Sequence, residues 1–244
     1  KKYKLITNKL MNLSPSYRDF ILSNSNMKFY GVQHGGGYCV DQNNLSEITE
    51  RKISDIFISW GKSKNNTNIA KPNITFKKKI NKKSFICYIS TSPLGCLLRF
   101  DEFVLPQYVK NNYFKDKYEI IKKLSNHKFE TIVRLDKNDQ WLHNQYIKKR
   151  IKCRNIIIDN GKLNFRKTIK NSSINLVDYL GSTYLESLFL NKPTIIYCNK
   201  KFFVIRKDKK KYFDQLKKMS IFFDDLKKLS IFLKRMSSEE KIQS

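Results

Sequence analysis

Apolar residues in this chain fall into short solid blocks, separated by longer stretches in which they recur every three or four positions. The blocks at 84–90 (SFICYIS), 129–135, 155–158, 174–178 and 193–197 have the length and β-branched content of strands. Runs such as III and TIIY are apolar throughout instead of alternating, which fits strands covered on both faces. Between them, Tyr108, Val109, Tyr113, Ile120, Ile121 and Leu124 share helical spacing within 106–124. The spacing predicts further helices over 139–150, with Asp139 near the start, over 163–171 and over 182–190. Basic amphipathic helices are expected at 209–219 and 224–235, with the SIFF segment 220–223 between them. The Asp224–Asp225 pair reads as the cap of the last helix, not as a metal site.

Strands alternating with short helices predict an α/β fold with a parallel sheet flanked by helices. The polar, Asn/Lys-rich stretch 63–83, with Pro72, reads as a linker. It divides a partial N-terminal lobe, 1–62, from a C-terminal Rossmann-like domain, 84–244. In the first lobe, Leu45, Ile48, Ile53, Ile56 and Phe57 are expected to form one apolar, core-facing side.

At 244 residues and 40% hydrophobic content, the chain is long enough to bury a core. No apolar run reaches the roughly 18 residues of a membrane span. No signal-peptide pattern follows Lys1, Lys2 and Lys4, and the first residue is not Met, compatible with a fragment. The five cysteines, Cys39, Cys87, Cys96, Cys153 and Cys198, show no CxxC or CxxH spacing and read as buried, reduced thiols of a cytoplasmic protein. The net charge of +28 suits a polyanion partner: nucleic acid, anionic lipid or a phosphorylated substrate. The lysines are spread along the chain, however, in a composition typical of AT-rich coding. That pattern argues for drift over a dedicated binding patch.

Three segments carry candidate chemistry. In FYGVQHGGGYCV (29–40) a strand-like lead runs into Gln33, His34 and the glycines Gly35, Gly36 and Gly37. Glycines let the backbone approach a ligand closely, and their N–H groups can bind anions. His34 is the candidate general base for an acceptor hydroxyl. In NLVDYLGSTYLESLFL (175–190) a strand ends at Asp178, and a turn through Gly181 opens a helix at Ser182 and Thr183. Either hydroxyl fits an N-cap, and Glu186 stands at capping-box spacing from Thr183. The same geometry could bind phosphate at the helix start, with Glu186 on a sugar hydroxyl. Finally, Arg134 and Arg206 follow predicted strands and could clamp phosphate. No HExxH, Walker, EF-hand or GxSxG motif occurs.

Taken together, QHGGGY, ISDIFISWG and VDYLGSTYLESLFLNKPTIIY resemble the LIC12162-type transferases of bacterial surface-carbohydrate clusters, over roughly 17–235. These are similar in layout to GT-B glycosyltransferases. The resemblance implies two Rossmann-like lobes and a nucleotide-sugar donor held mainly by the C-terminal one. It also implies a glycan or lipid-linked acceptor, and no cofactor or metal. One departure stands out: the family stretch reads QHGGGYG, and Cys39 replaces its last glycine. The expected function is sugar transfer by a cytoplasmic enzyme, with the basic C-terminal helices suited to peripheral contact with anionic membrane at the inner face. Two alternatives are a basic nucleic-acid-binding protein, which no RRM, KH or helix-turn-helix pattern supports, and an inactive lobe scaffolding glycan assembly. The topology predicts that Gly35–Gly37 and the turn 179–183 face one another across one cleft.

Overall fold

The computed structural model describes residues 4–7, 16, 19, 20, 23, 24, 27–60, 85–93, 107–201 and 203–238. The predicted linker 63–83 and Cys96 lie outside them. Strands β1 (Lys4–Thr7), β2 (Lys28–Val32) and β3 (Ile56–Ile58) form a parallel three-stranded sheet in the order β1-β2-β3. Helix α1 (Leu45–Ile53) connects β2 to β3.

The second sheet contains β4 (Phe85–Ile89), β5 (Glu130–Arg134), β6 (Ile156–Asp159), β7 (Ile174–Val177), β8 (Thr194–Tyr197) and β9 (Phe222–Phe223). All its pairings are parallel, in the order β6-β5-β4-β7-β8-β9. The connecting helices are α2 (Gln107–Ser125), α3 (His143–Arg150), α4 (Phe165–Asn171), α5 (Ser182–Phe189) and α6 (Lys210–Lys218), with α7 (Leu226–Ser238) after β9. The five predicted strands fall within two residues of their expected ends. The SIFF segment supplies a sixth, two-residue edge strand.

Strand residues alternate between two cores, because successive side chains point to opposite faces. Ile86 and Tyr88 of β4 join Ile120, Ile121, Leu124, Leu176 and Leu229 on one face. Phe85, Cys87 and Ile89 join Ile169, Val177, Tyr184 and Phe213 on the other. Every residue of β4, β7 and β8 is buried, as the solid apolar runs predict for central strands. Asp139 caps the start of α3 by accepting the Asn144 N–H at 2.6 Å. Asp225 does the same for α7, accepting from Lys227 and Lys228.

The strand order reverses between β4 and β7: the chain runs outward through β5 and β6, then returns to the middle. Ligands of open α/β sheets bind beyond the C-terminal strand ends near such a reversal. Among the described residues no helix is long and apolar enough to cross a membrane.

Candidate functional site

The reversal point is closed by a polar cluster of the protein itself. Asp178, the residue after β7, accepts the hydroxyls of Tyr88 at 2.6 Å, Ser90 at 2.8 Å and Tyr113 at 3.0 Å, all in the interior. Lys117 of α2 is 1% exposed and donates to the Thr91 carbonyl at 2.6 Å. Burial lowers the Lys117 pKa, while Asp178, Asp139 and Asp136 pull it back up. Burial likewise raises the Asp178 carboxyl, against the Lys117 charge and the three hydroxyl donors. A buried carboxylate with this many donors is satisfied, so the cluster locks the ends of β4 and β7 to α2.

The open space lies beside this lock, where the two sheets meet. The Gly-rich turn after β2 rests directly on the start of α5. A Cβ added to Gly36 would fall onto the Gly181 carbonyl and come within 2.9 Å of Ser182 N. The Tyr184 hydroxyl reaches the Gly36 carbonyl at 3.4 Å. The next few residues, Val40 to Gln42, run beside 204–206. Gln42 N donates to Val204 O and Arg206 N to Val40 O, both at 2.9 Å, around an antiparallel bridge between Asp41 and Ile205. Gly35–Gly37 and the turn 179–183 are thus together, but packed in contact instead of facing across a gap.

That packing changes what the α5 start can do. Its N-cap is Gly181, with no side-chain cap, so Ser182 and Thr183 are the first helical residues and not the cap. Thr183 Oγ1 pairs with the Tyr179 hydroxyl at 2.5 Å. The capping box with Glu186 therefore does not form. Burial raises the Glu186 carboxyl, with the nearby Arg166 charge acting against it. The Gly36 backbone covers the helix start because only a residue without Cβ can approach that closely.

A cavity of about 470 Å³ opens between the lobes, within the usual size for a small-molecule site. Gln33, Tyr38, Arg51 and Trp60 line it from the first lobe, and Tyr184 and Arg206 from the second. Gln33 braces its floor by donating to Gly35 O at 2.9 Å and accepting from Trp60 N at 2.8 Å. The two arginines converge on one buried carboxylate. Glu47 pairs with Arg51 Nε at 2.7 Å and with Arg206 Nη1 at 3.4 Å, and it accepts the Cys39 N–H at 2.6 Å. Arg51 also lies over the Phe57 ring, 4.3 Å from its centroid. Arg206 keeps 38% of its side chain exposed, so it can still meet a ligand.

His34 is not among the lining residues; it reaches the cavity through Tyr38, its Nδ1 standing 2.9 Å from the Tyr38 hydroxyl, which donates to Glu50 Oε2 at 2.8 Å. Cys39 takes the left-handed conformation, φ 63°, in the position where a glycine stands in QHGGGYG. Its Sγ accepts from Arg51 Nη2 at 3.2 Å. Burial and the Glu47 charge push the Cys39 thiol up, which keeps it protonated.

Three expectations need correction. The predicted apolar side splits: Phe57 on β3 is buried, but Leu45, Ile48 and Ile53 on α1 are exposed, while Ser46, Glu47 and Glu50 are buried. The carboxylates are drawn in because they hold Tyr38, Cys39, Arg51 and Arg206. Arg134 does not line the cavity. It is buried, ion-paired with Asp159 at 2.7 Å and bonded to Leu163 O and Thr168 Oγ1, tying β5 to β6 and α4. Cys153 is exposed; Cys87 and Cys198 are buried and Cys39 is half-buried, all as free thiols.

Tyr38, Glu47, Glu50 and Arg51 were absent from the sequence-derived candidates. The only signal for them was the placement of two glutamates four or fewer residues from an arginine on a helix after the Gly-rich turn. Another cavity, of about 460 Å³, lies between α2 and α7 near His127, Lys123 and Lys234. It sits by the turn that leads into β5, at the N-terminal strand ends, away from where α/β ligands bind. Among the described residues no three His, Cys, Asp or Glu side chains are grouped to hold a metal.

No individual curated protein matches the chain. A family model does, over residues 18–238, nearly the whole chain and including both walls of the cavity. The chain belongs to the LIC12162 family of transferases.

Proposed function

We propose that the chain transfers a sugar from a nucleotide-activated donor to a hydroxyl of a surface-glycan or lipid-linked acceptor, and that the inter-lobe cavity is where this happens. The observation that carries the reading is the grouping, at one cavity, of two guanidinium groups held by the buried Glu47, with the His34 imidazole hydrogen-bonded to Tyr38 of the cavity lining. Arg51 and Arg206 are suited to the donor phosphates, since a guanidinium is always charged and binds oxyanions bidentately. Glu47 holds both in place, Asp208 pairs with Arg206 at 3.2 Å, and Lys209 adds a third cation to the lining. Gly36 lines the cavity where it packs on Gly181 and Ser182 at the start of α5.

In this reading the acceptor oxygen forms a bond to the sugar carbon of the donor. The bond from that carbon to the phosphate oxygen breaks, and its electron pair leaves with the phosphate. The acceptor proton passes to His34 Nε2. Positively charged groups fixed at the departing phosphate lower the barrier because they need no reorganisation during the reaction.

Thermal-shift titration with CMP-, UDP-, GDP- and CDP-linked sugars tests this directly. A donor held only by the folded state raises stability by about 2.7 kcal/mol at one hundred times its Kd. One class is expected to raise Tm, and Arg51→Ala or Arg206→Ala to weaken that shift. With that donor, His34→Ala should lower kcat more than KM, because a base acts mainly in the transition state. If none of the four classes shifts Tm, or if the shift survives loss of both arginines, the reading fails.

A further inference from the structure

Glu50 is 1% exposed, on a helix that leaves three large aliphatic side chains in solvent. Burying a carboxylate there costs free energy unless it is hydrogen-bonded, so its partner matters. Glu50 Oε2 accepts from the Tyr38 hydroxyl, itself buried at 4% exposure. The Tyr38 ring is held in place by stacking on Phe57, with centroids 6.1 Å apart and planes 7° off parallel. His34 meets the same ring edge-on at 4.8 Å, with Nδ1 2.9 Å from the hydroxyl oxygen.

A tyrosine has one hydroxyl hydrogen. An ionised carboxylate can only accept, so in the pair with Glu50 that hydrogen must point to Oε2. Towards His34 the Tyr38 oxygen is then left as an acceptor, and Nδ1 must be the donor. In a neutral imidazole, a hydrogen on Nδ1 puts the basic lone pair on Nε2. We propose that Glu50, acting through Tyr38, is a positioning residue that fixes His34 in the Nδ1–H form and presents Nε2 as the basic nitrogen. This rests on the reading of His34 as the base. The direction of the two hydrogen bonds sets the tautomer, whereas a plain packing role for Glu50 would leave the tautomer to solvent.

The chain has three histidines, His34, His127 and His143, so protein labelled with ¹⁵N-histidine gives few ring signals. Two-bond ¹H–¹⁵N correlation spectra tell the Nδ1–H and Nε2–H forms apart, and a His34→Gln sample assigns the His34 signals. Spectra are taken at a pH where titration shows the ring to be neutral. Wild-type His34 is expected as Nδ1–H. Tyr38→Phe removes the acceptor and should lose that form. Glu50→Leu is the second variant: with no acceptor left at that position, the hydroxyl is free to donate to His34, so Nδ1–H should again give way to Nε2–H. Unchanged His127 and His143 signals report an intact fold in either variant.

A wild-type Nε2–H signal overturns the proposal. So does an Nδ1–H signal that survives in Glu50→Leu. This readout needs no donor, so its failure is separate from failure of the donor screen. Once a donor is in hand, both variants should lower kcat by about 10²-fold, the low end of what a well-placed base supplies.

Discussion

Helices α1 and α2 each follow a strand of a parallel sheet, and each carries a mixture of aliphatic and charged residues. They bury opposite halves of that mixture. Helix α2 turns Phe114, Ile120, Ile121 and Leu124 to the core, the last three at 1% exposure or less. Helix α1 turns Glu47 and Glu50 inward and leaves Leu45, Ile48 and Ile53 exposed at 42–49%. The exception within α2 is instructive. It becomes polar where it passes the C-terminal strand ends, with Lys117 on Thr91 O and Asp116 on the Tyr197 hydroxyl and Asn199. In both lobes, buried charge therefore collects at the edge where ligands of α/β proteins bind. Elsewhere the hydrophobic effect selects the inward face; at that edge, hydrogen-bonded carboxylates do.

The sharpest way to break this comparison is to remove the charge that α2 meets. Asp178→Ala leaves the buried Tyr88 hydroxyl without its acceptor, leaves Ser90 and Tyr113 to share the Thr91 carbonyl, and removes the carboxylate that acts most strongly on buried Lys117. We expect a loss of about 3–5 kcal/mol in urea unfolding, the usual cost of leaving a buried charge uncompensated. A loss below about 1 kcal/mol would show that the cluster is solvated and does not lock the strands.

A paired truncation tests the two faces themselves. Ile121→Ala in α2 should cost about 2–5 kcal/mol, as for a fully buried aliphatic side chain. Ile48→Ala in α1 should stay within about 0.5 kcal/mol, as for surface positions. Similar losses at both sites would mean that α1 buries its aliphatic side after all.

Glu47→Ala probes the inward carboxylate of α1. The expected cost is about 2 kcal/mol. Most of it comes from the Cys39 N–H left without its acceptor, since Arg51 and Arg206 are partly exposed and can turn to water. Faster amide hydrogen exchange confined to 38–52 and 204–206 would place the loss at the junction of the lobes. A uniform increase over the whole chain would argue against a local role.

The smallest effect is a gain. Cys39 adopts φ 63°, where a side chain costs about 1–2 kcal/mol and glycine almost nothing. Glycine costs about 0.5–1 kcal/mol more chain entropy on folding. Cys39→Gly should therefore stabilise by about 0.5 kcal/mol, with a rise in Tm. A drop in Tm would show that the Sγ contact with Arg51 outweighs the backbone strain.

The sequence by itself determined the second sheet. Short, β-branched apolar runs bounded by turn residues fit strands covered on both sides, and helical spacing between them favours parallel crossovers as the connection. It also determined that QHGGGY is a close-approach turn, because three glycines have little other use after a strand. Tertiary structure decided what that turn approaches. Gly36 lies on Gly181, and this contact shields the α5 start that sequence spacing offered as a phosphate site. It also decided the fate of the charges. Arg134 and Arg206 look alike in sequence in one respect, each being the first cation after an apolar run. One met Asp159 inside the fold, and the other met Glu47 at the rim of a cavity. Apolar periodicity says which residues leave water. Whether a charged residue leaves water with them depends on a partner supplied from a distant part of the chain, and spacing along one segment holds no information about that partner.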